Sequence, residues 1–385
     1  MDLKEPIPLF KVYMSEHAAN SVSDVLNSGY VTQGPEVEKF EEVLRNYFSN
    51  KHVVTFNSAT SGLHLIFHML KEYGLGNDKV KIEEKDDHVL TTPLTCTATN
   101  WPILANGINI KWVDVDPENC NINLDDLEKK LTKNTKAVVV VHWGGFPVDL
   151  DRLRSIQDNF EKKYGFKFLI IEDSAHAFGS SYKDVKIGNT KNISVFSFQA
   201  IKHLTSVDGG CVNFNFEDDV ERAKLLRWYG IDRNENRKDF RCESDIQNIG
   251  FKFHMNDVNA YIGRMNFSPV TEEILKVHMA NGNYYNKALK DIKDVELMDY
   301  SSNDKVPYWI YTIKVKNTLS SLNNLAKITR ENSLANIIGI TGSVGKTTLK
   351  NLLGFALKTY GKVYNSPLSY NNKFGVPLSL SNLKK

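Results

Sequence analysis

Short apolar runs alternate with helical patterns from about residue 50 onward. Two of these runs, KAVVVVH and KFLIIED, are apolar at consecutive positions, which is typical of strands buried on both faces. Strands of this kind that are separated by helices predict a mostly parallel sheet covered by helices on both sides. The sequence therefore predicts an α/β fold, with ligands bound at the carboxyl ends of the strands.

Composition and charge exclude several classes of protein. The chain has 385 residues, and 48 Lys plus Arg against 46 Asp plus Glu give a net charge of +2. This balance leaves no global field for binding nucleic acid or a membrane, so neither is expected as a partner. The four cysteines form no C-x-x-C pair, so neither a disulfide framework nor a metal site is predicted. Because no leader pattern and no apolar run of about 18 residues is found, a cytoplasmic location is expected.

A cluster of small polar residues follows the predicted strand HVVTFN. It reads NSATSG over residues 57–62 and leads into a helical pattern. Small side chains let the backbone approach an anion closely, and the first N–H groups of a helix suit a phosphate. A plain Ser/Thr helix cap would give the same pattern, so this cluster alone leaves both interpretations open.

An acidic residue, Asp173, closes the apolar strand KFLIIE. Its carboxylate could hold magnesium, cap a helix, or pair with the ring nitrogen of pyridoxal phosphate and keep that ring an electron sink. The cap is the default interpretation. His176 could hydrogen bond to the phenolic oxygen of the same cofactor, although a solitary histidine is more often structural.

A lysine, Lys202, follows the strand ISVFSF in an otherwise apolar stretch. Lysine is seldom buried without a role, and desolvation would lower its pKa toward that of a usable nucleophile able to form a Schiff base. Ser197, five residues earlier, could supply a hydroxyl to a cofactor phosphate. The alternative is a lysine whose stem packs at the sheet edge while its ammonium reaches water.

Six ordered blocks of the chain, over about residues 6–318, resemble the DegT/DnrJ/EryC1/StrS family of nucleotide-sugar aminotransferases. These enzymes carry pyridoxal 5'-phosphate on the type I aminotransferase fold. The resemblance thus implies a mostly parallel central sheet with helices on both faces and a small C-terminal domain. The blocks are residues 27–35, 58–62, 141–147, 172–176, 197–202 and 250–257.

The resemblance also implies roles for individual residues. Lys202 matches the lysine that is covalently joined to the cofactor and transfers protons once it is released. Asp173 would pair with the pyridine nitrogen, and His176 would stand near the phenolic oxygen. The phosphate would be bound by three residues of the two loops: the amide of Ala59, and the side chains of Thr60 and Ser197.

Two positions depart from the pattern of the family. Lys252 stands where many members have an asparagine that reaches the phosphate from the neighbouring subunit, which implies a homodimer with shared active sites. A lysine there suits the same anion, although it could equally be a solvated surface residue. Cys96 stands where the family usually has an aromatic residue stacked on the cofactor ring, so the stacking residue is undecided.

The function implied by the resemblance is a ping-pong transamination for amino-sugar or surface polysaccharide biosynthesis. An amino donor, glutamate in this family, would leave its nitrogen on the cofactor, and a keto group of a nucleotide-linked sugar would take it. Relatives that dehydrate their substrate carry histidine in place of the lysine, so Lys202 favours amination. The alternative is a non-catalytic module that binds the cofactor but lacks a competent substrate pocket.

The character of the chain changes near Ile328. The segment NIIGITGSVGKTT, residues 336–348, predicts a strand, a glycine loop and a helix, the geometry of a nucleotide phosphate loop. It is similar to the Mur ligases, as is YNNKFGVP at residues 370–377. Gly345 and Lys346 would contact phosphates and Thr347 a magnesium ion, although about 58 residues are too few for a working ligase.

Three domains are predicted from these observations. Residues 1–240 form a large cofactor-binding domain with an N-terminal arm, residues 241–327 form part of a small aminotransferase domain, and residues 328–385 form a truncated ligase-like fragment.

Overall fold

A seven-stranded sheet forms the centre of the computed structural model, which describes residues 10–233, 246, 248–300, 304–340, 346–366 and 372–381. Its strands run in the spatial order β1-β9-β8-β5-β4-β2-β3. All of them are parallel except β9, which is antiparallel to both of its neighbours. The strands are β1 (Val53–Phe56), β2 (His88–Thr91), β3 (Asn109–Trp112), β4 (Thr135–Val141), β5 (Leu169–Asp173), β8 (Ile193–Ser197) and β9 (Gly210–Asn213). This mostly parallel sheet confirms the predicted fold class.

Helices and two small sheets complete the described chain. The short strands pair as β6 (Ser181–Tyr182) with β7 (Val185–Lys186), and as β10 (Val295–Leu297) with β11 (Ile313–Val315). The helices are α1 (Glu16–Asn27), α2 (Pro35–Phe48), α3 (Ala59–Glu72), α4 (Thr97–Ala105), α5 (Leu124–Lys130), α6 (Leu150–Tyr164), α7 (Glu217–Leu226), α8 (Asp257–Pro269), α9 (Leu275–Leu289), α10 (Thr318–Glu331), α11 (Lys346–Leu357) and α12 (Gly375–Ser381).

Consecutive residues of β4 enter two different hydrophobic clusters. Val138 and Val140 pack in one cluster with Phe196, whereas Ala137 and Val139 pack in the other. Because side chains alternate across a strand, the two clusters lie on opposite faces of the sheet. This double burial is the physical reason for the continuous apolar runs in the sequence.

The described chain divides into two compact units. The larger contains residues 10–288 and 298–312, and the smaller contains residues 289–297 and the described residues from Ile313 onward. The sheet and all of the predicted cofactor-site residues belong to the larger unit. The domain boundaries placed at residues 240 and 327 stay predictions.

The C-terminal part of the described chain contains one short strand and lacks another that was predicted. The run PYWIYTIKVKN, residues 307–317, forms β11 over Ile313–Val315, while the main chain before it contacts a loop: the Trp309 N–H donates to the Gly144 carbonyl at 3.0 Å. The strand predicted at residues 336–340 is not formed. Ile337 and Ile338 there are 45% and 59% exposed, so no sheet neighbour buries them.

One further observation concerns membranes: among the described helices, none is long and apolar enough to span a bilayer.

Candidate active site

The loops that carry the predicted site all leave the same edge of the sheet. Strands β1, β5 and β8 point in one direction, and their last residues are Phe56, Asp173 and Ser197. Gly210, the first residue of β9, pairs with both Phe56 and Ser197. Since neighbouring strands lie about 4.8 Å apart, this register places the ends of β1 and β8 about 10 Å apart, one on each side of Gly210.

The loop after β1 ends in the first turn of α3. Ser58 caps this helix through its side-chain oxygen, which accepts a hydrogen bond from the Ser61 N–H at 3.1 Å. The N–H groups of Ala59 and Thr60 donate to no described residue. A Cβ on Gly210 would lie 2.4 Å from the Ala59 nitrogen, so only glycine lets the helix start this close to the sheet. These free N–H groups and the dipole of α3 provide a site for an anion.

Asp173 is held by two donors. The Thr99 hydroxyl donates to Oδ2 at 2.6 Å and the Ala175 N–H donates to Oδ1 at 3.1 Å. Its side chain is buried, with only 7% of its surface exposed. Both hydrogen bonds favour a fixed carboxylate, which is the form that can pair with a protonated ring nitrogen. Thr99, in the first turn of α4, was not predicted as a site residue because nothing in its local sequence marks it.

Lys202 is half-buried near Asp173. Burial lowers the pKa of Lys202 from 10.5 to about 8, while the charges of Asp173 and Cys96 act in the opposite direction. Because electrostatic interactions weaken with distance, they indicate that these three residues, far apart in the sequence, lie close together in the fold. A lysine with this pKa carries an appreciable fraction of free amine near neutral pH, as a nucleophile requires.

His176 lies in the same cluster and is uncharged at neutral pH. Burial lowers the pKa of His176 to about 3, and the positive charge of Lys202 adds to this effect. Its Nδ1 is buried without a hydrogen-bond partner among the described residues. An unpaired ring nitrogen in a site is available to a ligand, since leaving it unpaired costs free energy.

Two tryptophans flank His176, and the sequence did not indicate either of them as a site residue. The Trp309 ring stacks on the His176 ring, with centroids 3.8 Å apart and planes 14° apart. Trp143 meets the same histidine edge-on at 6.0 Å. Trp309 is 133 positions beyond His176, so only the folded chain shows that they are neighbours.

Cys96 and Lys252 take different positions relative to the cluster. Cys96 is exposed at the N-cap of α4 and lies within electrostatic range of Lys202. Lys252 is exposed, its carbonyl accepts a hydrogen bond from Asn57 Nδ2 at 3.2 Å, and its ammonium is 5.9 Å from the centroid of the Tyr229 ring. Lys252 thus borders the loop after β1 of its own chain, while its reach to a second subunit stays a prediction.

A buried carboxylate supports the end of β5 next to Asp173. Glu172 is completely buried and accepts hydrogen bonds from Thr190 at 2.8 Å, Asn192 at 2.6 Å and Ser194 at 3.0 Å, with His142 Nε2 at 3.3 Å. Burial alone would raise the pKa of Glu172, but the hydrogen bonds from His142, Asn192 and Thr190 outweigh it and lower the pKa. The charged carboxylate therefore ties β4, β5 and β8 together below the site.

The residues present fit pyridoxal phosphate. The free N–H groups of Ala59 and Thr60 suit a phosphate, Asp173 suits a pyridine nitrogen, and Lys202 is an amine of lowered pKa. The unpaired Nδ1 of His176 adds a polar group that the protein itself does not satisfy.

The ligase-like residues do not form a comparable site. Gly345 lies outside the described residues, and Lys346 and Thr347 are the first two residues of α11. Because the strand expected before them is not formed, the described chain lacks the strand from which a phosphate loop departs.

The chain is similar to known proteins over most of its length. The model of the DegT/DnrJ/EryC1/StrS aminotransferase family matches residues 12–338, most of the chain. The chain therefore belongs to this family, and its class is that of the pyridoxal phosphate-dependent aminotransferases. The match extends past residue 318, where the resemblance in the sequence was expected to end.

Individual relatives are similar over most of the chain. The crystal structure of AtS13 from Actinomadura melliaura is 43% identical, with a TM-score of 0.78, and the match covers 85% of this chain and 84% of that one. The sugar aminotransferase CalS13 from Micromonospora echinospora is 38% identical, with a TM-score of 0.77 and 84% of each chain covered. An uncharacterized protein of Methanocaldococcus jannaschii is 36% identical over 261 residues, which are 67% of this chain and 63% of that protein.

Proposed function

We propose that the chain transfers an amino group to a keto group of a nucleotide-linked sugar. The observation that carries this proposal is the cluster of Lys202, Asp173 and His176 beside the free N–H groups of α3. The name of the 38% identical relative, a sugar aminotransferase, supports the sugar as acceptor.

Each residue of the cluster has a distinct task in the proposed reaction. Pyridoxal phosphate, when bound, supplies an electron sink and carries the amino group between donor and acceptor. Lys202 holds the cofactor covalently and, when released, moves a proton at the reacting carbon. Asp173 keeps the ring nitrogen protonated, and His176 orients the ring through a hydrogen bond.

Residues at the ends of β1 and β8 would hold the phosphate of the cofactor. The Ala59 amide, the Thr60 hydroxyl and the Ser197 hydroxyl would contact it, because the loops after β1 and β8 are joined through Gly210. Cys96 would lie at the ring face that an aromatic residue covers in other members of the family. We take glutamate as the amino donor and amino-sugar or surface polysaccharide biosynthesis as the pathway.

The decisive experiment is Lys202→Ala, with the exposed Lys129→Ala as matched control. Borohydride reduction followed by peptide mass analysis should find the cofactor on residue 202 of the unaltered chain and of the control. The Lys202→Ala protein should show no attached cofactor and no near-visible absorbance of the bound form. An unchanged absorbance spectrum in that variant would refute the proposal.

The homodimer with shared sites is also a proposal, supported by the exposure of Lys252 and its position beside the loop after β1. A Lys252→Ala variant should bind the cofactor more weakly. Mixing it with Lys202→Ala should restore part of the activity, because a mixed dimer contains one site with both lysines. No recovery in confirmed mixed dimers would exclude shared sites.

A second candidate function is a cofactor-binding module without catalysis. The observation that favours it is the smaller unit, whose two-stranded sheet has no further described strand and whose helices leave large apolar side chains exposed. Addition of glutamate separates the two functions. Conversion of the bound cofactor to its amino form indicates the enzyme, and a spectrum that glutamate does not change indicates the module.

For residues 328–385 we propose a ligase-like fragment that does not bind nucleotide. The support is the missing strand before Lys346 together with the sequence likeness to the Mur ligases. Titration of the full chain with ATP and magnesium, compared with Lys346→Ala, should show no binding that depends on this lysine. Binding lost in the variant would contradict the proposal.

A further inference from the structure

The Lys202 ammonium has no hydrogen-bond acceptor among the residues that the structure describes. Across the described residues, none accepts a hydrogen bond from its Nζ. A half-buried ammonium needs compensation, because water no longer solvates it fully.

In place of a hydrogen-bond acceptor, the Lys202 ammonium contacts the face of an indole ring. Lys202 Nζ lies 3.8 Å from the centroid of the Trp309 ring. Tryptophan has the most favourable face for a cation, and a contact of this kind within about 6 Å stabilises the charged form, more strongly when both groups are partly desolvated.

Trp309 is itself fixed on several sides. Its Nε1–H donates to the carbonyl of Ile201, the residue before the lysine, at 3.1 Å. Its backbone N–H donates to Gly144 at 3.0 Å, and its ring stacks on His176 at 3.8 Å. A ring fixed by these contacts keeps one orientation at little further cost in entropy.

We infer that Trp309 is a positioning residue that holds the Lys202 ammonium on its indole face while the amine is not joined to the cofactor. This inference rests on the proposed function, in which Lys202 is the lysine that carries the cofactor. Without the indole face, the ammonium would lose its stabilising contact and its fixed place beside the reacting ring.

The charged and titratable groups that face Lys202 come from four places in the fold. Asp173 ends β5, Cys96 precedes α4, His176 follows β5, and His203 is the next residue in the chain. The two histidines have their pKa values lowered to about 3, so they stay neutral above pH 5. Neither histidine therefore changes its charge between pH 6 and 10, and a comparison of variants that all retain Asp173 and Cys96 isolates the contribution of the residue at position 309 to the protonation of the lysine.

The test compares Trp309→Phe, which keeps an aromatic face, with Trp309→Leu, which removes it. Trp143→Leu is the matched control, because the contact that Trp143 makes in this cluster is with His176. In the full chain freed of cofactor, the rate of pyridoxal phosphate attachment is measured against pH. Borohydride reduction and peptide mass analysis confirm the attached residue in every variant.

Trp309→Leu should move the pH midpoint of attachment to lower pH. The acid dissociation constant of the Lys202 ammonium should increase about threefold to tenfold. The phenylalanine variant should shift it less, and Trp143→Leu should leave it unchanged. Attachment at Lys202 with a midpoint that stays or rises in the leucine variant would overturn the inference while the proposed function stands, as would equal shifts in both Trp309 variants. Attachment at another residue would refute the proposed function and this inference with it.

Discussion

The two units of the chain bury their apolar side chains to very different extents. In the larger unit, Phe196 and Phe198 are completely buried on the sheet. In the smaller unit, Leu334 is 99% exposed, Tyr360 89% and Phe355 77%. A sheet with helices on both faces offers two closed layers, whereas short helices without a large sheet leave apolar surface in water. The difference shows that helices predicted from the sequence do not by themselves form a hydrophobic core.

The largest expected effect comes from the same substitution made in each unit. Phe196→Ala should lower the free energy of unfolding by about 3–5 kcal/mol, because it removes a buried ring and leaves a cavity. Phe355→Ala should change it by less than about 0.5 kcal/mol, since its ring is already mostly in water. Urea unfolding of both variants measures the contrast, and similar losses would show that the two units are equally well packed.

A second pair compares two glutamates. Glu172→Gln should lower the free energy of unfolding by about 3 kcal/mol. The new amide N–H groups would face the hydroxyl and amide groups that donate hydrogen bonds to the carboxylate in the unaltered chain. Glu331→Gln should have almost no effect, because this side chain is 61% exposed and its partner Lys327 is 3.9 Å away. Urea midpoints at neutral pH give the comparison. An unchanged urea midpoint in the Glu172→Gln variant would mean that the hydrogen bonds of Glu172 do not stabilise the sheet.

A pH-dependent effect follows from the lowered pKa of Lys202. Between pH 8 and 10.5 the folded chain binds fewer protons than the unfolded chain, so this lysine makes the free energy of unfolding rise with pH. Without cofactor, Lys202→Met should therefore stabilise the protein by about 1–3 kcal/mol at pH 7. This increase in the free energy of unfolding should become smaller as the pH rises above 8 and should be absent above pH 10.5.

Unfolding of both proteins across this pH range is the measurement, with the exposed Lys252→Met as control. A gain that does not depend on pH would mean that burial does not lower the pKa of this lysine.

The smallest effect is expected from the end of the chain. Removing residues 341–385 deletes α11 and α12, which leave Leu352 and Phe355 exposed. The free energy of unfolding of the larger unit should change by less than about 1 kcal/mol, and the absorbance of the bound cofactor should stay the same. Loss of cofactor binding in the shortened protein would show that the tail supports the site.

Much of the fold was predictable because it follows local rules. The helical pattern that follows the NSATSG cluster is α3, and the buried strands predicted at KAVVVVH and KFLIIED are β4 and β5. The strand predicted at residues 336–340 is not formed, and β11 is short because the Trp309 N–H before it donates to Gly144 instead of to a neighbouring strand. Pattern gives the type of an element, but its length depends on which neighbours accept its main-chain groups.

The sequence by itself determined the fold class, and it determined that Asp173 ends one strand and that Lys202 lies in the loop after another. Doubly buried parallel strands leave a continuous apolar signature and end at one edge of the sheet. Only the tertiary structure decided that Thr99 holds Asp173, that Glu172 collects donors from two further segments, and that Trp309 lies against Lys202. These contacts join residues that are up to 107 positions apart, and no local period or motif encodes such pairs.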